Sequence, residues 1–238
     1  MKERYFGINI EESIQRIDSL LAERNEAFTA CITFPHKWQE EALNGIYVNA
    51  AVVYFDLKKT AKLFSNHSIS TVAKILRTYI SEITSILKSL PKCKGVVLDG
   101  DNIYGVYDAS LTTGLDNVFA LAVIGKSILE VLNHKLSMQQ MPTVSAGIGI
   151  DFGKVLMVKT EFKQVKEPVW LGDVIYFAAR FSHLANQAEG GSHIYLSRVV
   201  YQSLGKEYQN LCQMHPSQEW YQCTATYDPI SHWLQKQE

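Results

Sequence analysis

The run IYVNAAVVYFDL, residues 46–57, restricts the fold of this 238-residue chain more than any other feature. It is rich in β-branched and aromatic residues, which predicts a strand. Because the run is largely apolar, we expect the strand to be buried. Asp56 stands near its end, and a buried carboxylate is costly unless it is capped, paired or metal-bound. The run therefore predicts a core strand whose end is a candidate functional site.

The rest of the chain predicts helices that alternate with strands. Helical periodicity covers residues 8–28, 68–89, 114–135 and 173–188. Hairpins are predicted at Asp99-Gly100 and near Asp151–Gly153, and HIYLS, residues 193–197, predicts a further strand. This order predicts an α+β fold of the ferredoxin-like, split βαβ kind, with an antiparallel-rich sheet and helices packed on one face. We divide the chain into an N-terminal helical extension, residues 1–45, and one domain, residues 46–238.

Composition argues against several classes of partner. Lys and Arg number 23 against 24 Asp and Glu, so no global charge draws the chain to nucleic acid or to an anionic membrane. No segment approaches the ~20 apolar residues of a membrane span, and the N-terminus has no apolar signal region. The four cysteines form no CxxC motif, and we interpret them as free thiols in a reducing cytoplasm. We therefore expect a cytoplasmic protein without nucleic-acid or membrane partners.

Two carboxylates are expected to converge at one edge of the sheet. Asp101 follows the predicted turn at Asp99-Gly100, and a meander places that turn beside the end of the strand that carries Asp56. Two such carboxylates make a hard-oxygen site suited to Mg²⁺ or Mn²⁺. The alternative is that Asp56 caps the next segment and that Asp99 and Asp101 are ordinary turn residues.

A helical arginine is the third candidate. Tyr176 and Arg180 are four residues apart, so they share one face of the helix predicted at 173–188. Arg180 stands among apolar residues, an unusual position for a purely solvated charge. The alternative is an ion pair with a neighbouring acidic residue.

Four blocks in order resemble the catalytic domain of the class III nucleotidyl cyclases, the adenylate and guanylate cyclase family: VVYFDLKKTAKL, VVLDGDNIYGVY, SAGIGIDFGKVL and VWLGDVIYFAARFSHLA. The resemblance implies that Asp56 and Asp101 are metal carboxylates, that the Leu57 carbonyl is a backbone metal ligand, and that Arg180 holds the α-phosphate. It further implies two Mg²⁺ or Mn²⁺ ions per site and a homodimer. In such a dimer the carboxylates come from one chain and the arginine from the other.

The departures from that family bear on the base. Purine cyclases have polar base-reading residues where this chain has Val97 and Val169, and an asparagine where it has Tyr176. Valine offers no hydrogen bond, so a buried purine edge would lose roughly 1–3 kcal/mol per unsatisfied group. The bulk of Tyr176 also narrows the base pocket. The pattern resembles the pyrimidine cyclases of bacterial Pycsar anti-phage systems, which implies UTP or CTP as substrate, a cyclic mononucleotide product and a separate effector.

The residues that bind phosphate are less regular. Lys59 stands where the family has glycine, and residues 207–235 contain no Lys or Arg in place of the family's late lysine. Lys58, Lys59 or Lys154 could replace it. On the resemblance we also assign Tyr54, Lys58 and Lys59 to substrate binding. Two alternatives stay open: a purine cyclase that reads the base through backbone groups, and a degenerate cyclase domain that binds nucleotide without turnover.

Overall fold

A computed structural model describes residues 9–22, 29–31, 34–35, 45–58, 60–109, 112–158, 168–190, 192–216 and 219–237. Within these ranges the helices are α1 Ile10–Leu21, α2 Thr60–Asn66, α3 Ile69–Ser89, α4 Thr112–Met138, α5 Asp173–Gln187, α6 Arg198–Ser203, α7 Lys206–Gln209 and α8 Asp228–Gln235. The strands are β1 Thr29–Ala30, β2 Ile46–Leu57, β3 Cys93–Asp99, β4 Asn102–Tyr107, β5 Ala146–Val158, β6 Val169–Leu171, β7 His193–Ser197, β8 Cys212–Met214 and β9 Trp220–Cys223. The mixed α+β class is confirmed.

The predicted core strand, β2, is an interior strand of one open, mostly antiparallel sheet. The strand order is β3-β4-β2-β5-β7-β9-β8, with β1 added to β2 and β6 added to β5. β2 pairs antiparallel with β4 on one side and with β5 on the other. This position explains why its residues are apolar on both faces, since both faces are covered.

The two faces of β2 pack against different helices. Ala51, Val53, Phe55 and Leu57 belong to a core that includes the buried faces of α3 and α4. The alternate residues Val48, Ala50, Val52 and Tyr54 pack in a second core with Val174 and Ala178 of α5. The expectation of helices on one face is therefore wrong. The period of two in β2 supplies an apolar surface to each side, and α5 covers the face opposite α3 and α4.

The second predicted hairpin is also wrong. β5 runs without a turn from Ala146 to Val158, and Asp151 and Gly153 pair with Val52 and Ala50 of β2. The Asp and Gly residues resemble a turn sequence, but twelve residues of β2 offer a ladder long enough to hold the whole segment extended. Local turn chemistry is overridden here by strand pairing.

The other helices and strands lie close to the positions that the sequence predicts for them. The helix predicted at 68–89 is α3, and its first turn is capped by Ser68, whose hydroxyl accepts from the Thr71 N–H. The helix predicted at 8–28 is described as α1, with residues 23–28 outside the described part. β1 precedes the boundary proposed at residue 45 and nevertheless pairs with β2, and that boundary stays a prediction.

The C-terminal part holds elements that the sequence pattern did not predict. β8 and β9 pair antiparallel, and Cys212 lies directly opposite Cys223. Both cysteines are free thiols, as are Cys31 and Cys93. No helix in the described part of the chain combines the length and the apolarity that crossing a membrane requires.

Candidate active site

The structure brings the two predicted carboxylates together at the end of β2. Gly100 has a φ of +65°, which allows a two-residue turn between β3 and β4 and places Asp101 near the end of the neighbouring β2. The pKa of the Asp56 carboxyl is raised by burial, and the nearby charge of Asp101 adds to this increase. The geometry therefore fulfils the expectation that these carboxylates converge.

Thr60 joins two of the predicted metal ligands. Its hydroxyl donates a hydrogen bond to Asp101 Oδ2 and lies 3.3 Å from the backbone carbonyl oxygen of Leu57. The turn from β2 into α2 creates this contact, because Thr60 is the first residue of α2. The Thr60 hydroxyl is consequently in contact with both the Leu57 carbonyl oxygen and the Asp101 carboxylate.

The donor set at this edge suits a hard cation. Within the described ranges, no three side chains of His, Cys, Asp or Glu form a cluster that could hold a metal ion. A cation here would depend on carboxylate, carbonyl and hydroxyl oxygens, which are the ligands that Mg²⁺ and Mn²⁺ prefer.

Two buried oxygens near the carboxylates have no hydrogen-bond partner among the described residues. They are the Tyr79 hydroxyl on α3 and Asn102 Oδ1 on β4. Burial, followed by the charges of Asp56 and Asp101, raises the pKa of Tyr79. Buried polar atoms are rarely left unpaired, so this edge of the sheet is the kind of place where a bound group or water is expected. The residues present therefore fit a divalent cation.

An aromatic pair lies beside the carboxylates on the α5 face. Val97, Tyr104 and Tyr54 stand directly opposite one another across β3, β4 and β2. The Tyr54 and Tyr104 rings stack at 5.3 Å with 8° between their planes. Burial, together with the charges of Asp99 and Asp56, raises the pKa of Tyr54 to about 12. The Tyr54 phenol is therefore a neutral group near the carboxylates at ordinary pH.

The second predicted valine lies on a different strand. Val169 is on β6 and 39% exposed, while the next residue, Trp170, is buried. A Cβ built on Gly95 of β3 would lie 3.1 Å from the Trp170 ring nitrogen, so Trp170 reaches across the face of the sheet towards β3. Val97 is half-buried, whereas Val169 faces solvent in the single chain.

Arg180 and Tyr176 lie on the outer face of α5. Both side chains are exposed, Tyr176 by 64%. No acidic residue in the described part of the chain lies within ion-pair distance of Arg180. The alternative of an ion pair therefore finds no support among the described residues, and the exposed Arg180 side chain faces solvent there.

The residue that does reach the carboxylates from α5 is His183. Its Nδ1 lies 3.6 Å from Asp56 Oδ2. Because His183 is three residues after Arg180, both lie on the same side of α5. The exposed side of this helix thus extends from Tyr176 to the neighbourhood of Asp56.

The predicted lysines divide into three cases. Lys58 follows the end of β2, and its Nζ donates a 2.7 Å hydrogen bond to the Ala188 carbonyl. Lys59 lies outside the described residues. The Lys154 ammonium lies over the Tyr47 ring, and Lys154 stands opposite Asn49 in the pairing of β5 with β2. Asn49 is seven residues before Asp56 on β2, so the two backbone positions are about 23 Å apart at the usual strand rise. Within one chain Lys154 does not reach the carboxylates.

A cavity of about 700 Å³ lies next to Lys58. The basic side chains of Lys58, Lys62 and His67 line it, together with Asn186 near the end of α5. Glu189 is the acidic residue in this lining. The cavity therefore combines a net positive lining with a position at the same end of β2 as Asp56.

Sequence reasoning missed several residues of the site: Thr60, Asn102, Tyr104, His183 and Asn186. Helical spacing could have indicated His183, three residues after Arg180. Thr60, four residues after Asp56, could have been considered as a second oxygen donor. Asn186 carried no local signal, because its partner in β2 is 130 residues away.

Solved structures with a similar fold are cyclase domains. The guanylyl cyclase Cya2 matches with a TM-score of 0.64 and 14% identity, over 78% of this chain and 96% of that one. The adenylyl cyclase CyaB from P. aeruginosa gives the same TM-score at 13% identity, over 78% and 98%. A class III adenylyl cyclase-like ATP-binding protein from Pseudomonas aeruginosa gives 0.68 at 15% identity, over 95% and 50%.

Curated relatives add a sequence match. Residues of this chain are 25% identical to a uridylate cyclase of Treponema porcinum over 199 positions, 81% of this chain and 69% of that protein. The chain has the fold of the class III cyclase domains. A uridylate cyclase of Gulbenkiania mobilis is 26% identical to this chain over 215 positions, 87% of this chain and 83% of that protein. No family model matches the sequence.

Proposed function

We propose that the protein is a pyrimidine nucleotide cyclase that converts UTP to 3',5'-cyclic UMP and pyrophosphate, with CTP as the other candidate substrate. The observation that carries the proposal is the pair of carboxylates, Asp56 and Asp101, at the end of β2 in a class III cyclase fold. The similarity to two uridylate cyclases supports uracil as the base.

The reaction forms one bond and breaks another at the α-phosphorus. The ribose 3'-oxygen attacks this phosphorus and loses its proton, and the bond to pyrophosphate breaks. Asp56, Asp101 and the Leu57 carbonyl would hold Mg²⁺ or Mn²⁺, two ions in the full proposal, and such cations lower the pKa of the 3'-hydroxyl and neutralise the phosphates. The rest of the chemistry concerns the residues that orient the substrate.

Arg180 would neutralise the negative charge that develops on the α-phosphoryl group. A guanidinium makes strong, paired hydrogen bonds to phosphate oxygens, and such a contact is strongest where charge increases in the transition state. Arg180 is exposed and has no acidic partner in the described part of its own chain. These properties support a homodimer in which Arg180 completes the site of the other chain.

The base pocket would select a pyrimidine because it excludes purines. Val97 and Val169 cannot pair with a purine edge, and Tyr176 takes space that a second ring would need. Tyr176 is well exposed in the single chain, so it is free to face a substrate held by the partner subunit. A single lost hydrogen bond or a steric clash is enough for a tenfold preference, about 1.4 kcal/mol.

The triphosphate would extend towards the cavity beside Lys58. Lys58 is held in place by its bond to the Ala188 carbonyl, and Lys62 and His67 add further donors. Lys59 is a third candidate for phosphate binding. This arrangement would compensate for the lack of a lysine or arginine between 207 and 235.

The biological setting that we propose is anti-phage signalling, in which the cyclic nucleotide activates a separate effector. The support is the sequence similarity to uridylate cyclases and the resemblance to Pycsar cyclases. Phage challenge of cells that carry the protein and its genomic neighbours would test it. Protection that disappears with Asp101→Asn supports the setting, and unchanged protection contradicts it.

The base preference is tested by steady-state kinetics with each nucleoside triphosphate and Mn²⁺. We expect kcat/KM for UTP or CTP to exceed that for ATP and GTP at least about tenfold. Tyr176→Asn should reduce this ratio by enlarging the pocket. An unchanged ratio in Tyr176→Asn would show that Tyr176 does not determine the base preference.

Nucleotide binding without turnover is the second candidate. Lys59 in place of the family's glycine and the lack of a late lysine favour it. The same assay separates the two candidates. A wild-type protein that binds UTP and forms no cyclic product under any divalent cation would support binding alone.

A further inference from the structure

The Thr60 hydroxyl contacts two of the three predicted metal ligands. It donates to Asp101 Oδ2 and lies 3.3 Å from the Leu57 carbonyl oxygen. Asn102, the residue after Asp101, begins β4, and β4 pairs antiparallel with β2, the strand that carries Asp56. Two oxygens from distant positions of the chain, the Leu57 carbonyl and Asp101 Oδ2, therefore lie at hydrogen-bond distance from one threonine hydroxyl.

We propose that Thr60 is a further oxygen ligand of the divalent cation. The inference rests on the proposed function and names a residue for which neither the family resemblance nor the sequence pattern assigned a role. A hydroxyl that donates its proton to Asp101 keeps its lone pairs, so it can ligate a cation and hold the carboxylate at the same time. Threonine and serine hydroxyls bind Mg²⁺ in this way in P-loop proteins.

The position of Thr60 in the fold makes this role geometrically consistent. Thr60 is the first residue of α2 and stands three positions after Leu57, the last residue of β2, so the helix and the end of the strand restrict its position. It is half-buried, which limits competition from bulk water. The buried oxygens of Tyr79 and Asn102 have no hydrogen-bond partner among the described residues. A bound group or water is therefore expected at this edge of the sheet.

Metal binding by the purified protein tests the proposal without reference to turnover. Mn²⁺ titration followed by EPR of the free ion gives the dissociation constant for wild type, Thr60→Val and Thr60→Ser. We expect Thr60→Val, which keeps the shape and loses the hydroxyl, to weaken binding on the order of tenfold. Thr60→Ser should stay close to wild type. Thr78→Val is the matched control, because Thr78 bonds to the Lys74 carbonyl on the exposed side of α3.

A change of metal preference gives an independent test if Thr60→Val proves unstable. Thr60→Cys replaces a hard oxygen by a soft sulfur, so it should lose affinity for Mg²⁺ and gain affinity for Cd²⁺ relative to wild type. Thr78→Cys controls for binding of Cd²⁺ by an added thiol. Equal Cd²⁺ affinity in the two cysteine variants would overturn the proposal.

The outcomes separate this inference from the proposed function. If wild type binds Mn²⁺, Asp101→Asn does not, and Thr60→Val binds as wild type does, then Thr60 is not a ligand and the metal site stands. If wild type binds no Mn²⁺ at millimolar concentration, the metal site itself fails, and the inference fails with it.

Discussion

The side-chain amide of Asn186 on α5 donates a 2.9 Å hydrogen bond to the backbone carbonyl of Asp56 on β2. The same amide accepts a 2.6 Å hydrogen bond from the Gly147 N–H on β5. One side chain therefore ties together the helix that carries Arg180 and the two strands below it. Asp56 and α5 are held in one relative position by this link.

Replacement of Asn186 by alanine should loosen that link. The Gly147 N–H would lose its partner in a partly buried position, at a cost of about 1–3 kcal/mol. We expect a lower urea midpoint and a lower kcat for cyclic product in Asn186→Ala. Asn117→Ala, on the exposed side of α4, is the control and should change neither quantity. Wild-type kcat in Asn186→Ala would show that the link does not position Asp56.

Close packing of α5 on β5 depends on glycine at position 149. A Cβ there would overlap the backbone carbonyl of Ala178, whereas a Cβ at Gly153 would meet the Val174 side chain at an ordinary 3.6 Å. Gly149→Ala should therefore destabilise the protein by at least about 3 kcal/mol, because backbone cannot move aside as a side chain does. Gly153→Ala on the same strand should stay within about 1 kcal/mol of wild type. Urea unfolding of the two variants checks this, and equal midpoints would contradict the packing.

The stability of the protein should fall with rising pH because of Asp151. Burial raises the pKa of this carboxyl above its value in the unfolded chain, although hydrogen bonds with Ser197 and the Phe152 N–H oppose the shift. As the pH rises above about 4, the unfolded chain releases this proton before the folded protein does, so the free energy of unfolding decreases. The amide in the Asp151→Asn variant stays neutral at every pH, so the variant does not lose unfolding free energy in this way.

We expect the stability of Asp151→Asn relative to wild type to increase between acidic and neutral pH. Urea unfolding at a series of pH values measures it. A difference that stays constant with pH would mean that Asp151 does not titrate as its burial implies.

A composite active site predicts complementation between two inactive chains. Asp56→Ala should lose a metal carboxylate and Arg180→Ala should lose the phosphate contact, so each alone should be inactive. In a mixture the mixed dimer would keep one intact site, and roughly a quarter of wild-type activity should return. No recovery after demonstrated subunit exchange would place Asp56 and Arg180 in the same chain's site.

The sequence predicted features that depend on local chemistry. The apolar run at 46–57 is an interior strand of the sheet, and Asp99-Gly100 lies in a hairpin turn that glycine permits. The spacing of Tyr176 and Arg180 correctly placed both on one face of α5, although it did not indicate that this face is exposed. These features need only neighbouring residues to specify them.

Features that depend on distant partners could not be predicted in the same way. Asp151 and Gly153 read as a turn, yet β2 holds them in an extended strand. Asn186 has no distinguishing neighbours, and its role arises only when β2 and β5 pass beneath α5. The contact of Thr60 with Asp101 likewise requires the hairpin to fold back beside the end of β2.

The most direct measurement of the central claim is the product formed from an equimolar mixture of ATP, GTP, CTP and UTP with Mn²⁺, identified by mass spectrometry. We predict that a cyclic pyrimidine mononucleotide, cyclic UMP in first place, is the main product of wild type and that Asp101→Asn forms none of it. Cyclic AMP or cyclic GMP as the main product would contradict the proposal that Val97, Val169 and Tyr176 exclude purines from the base pocket.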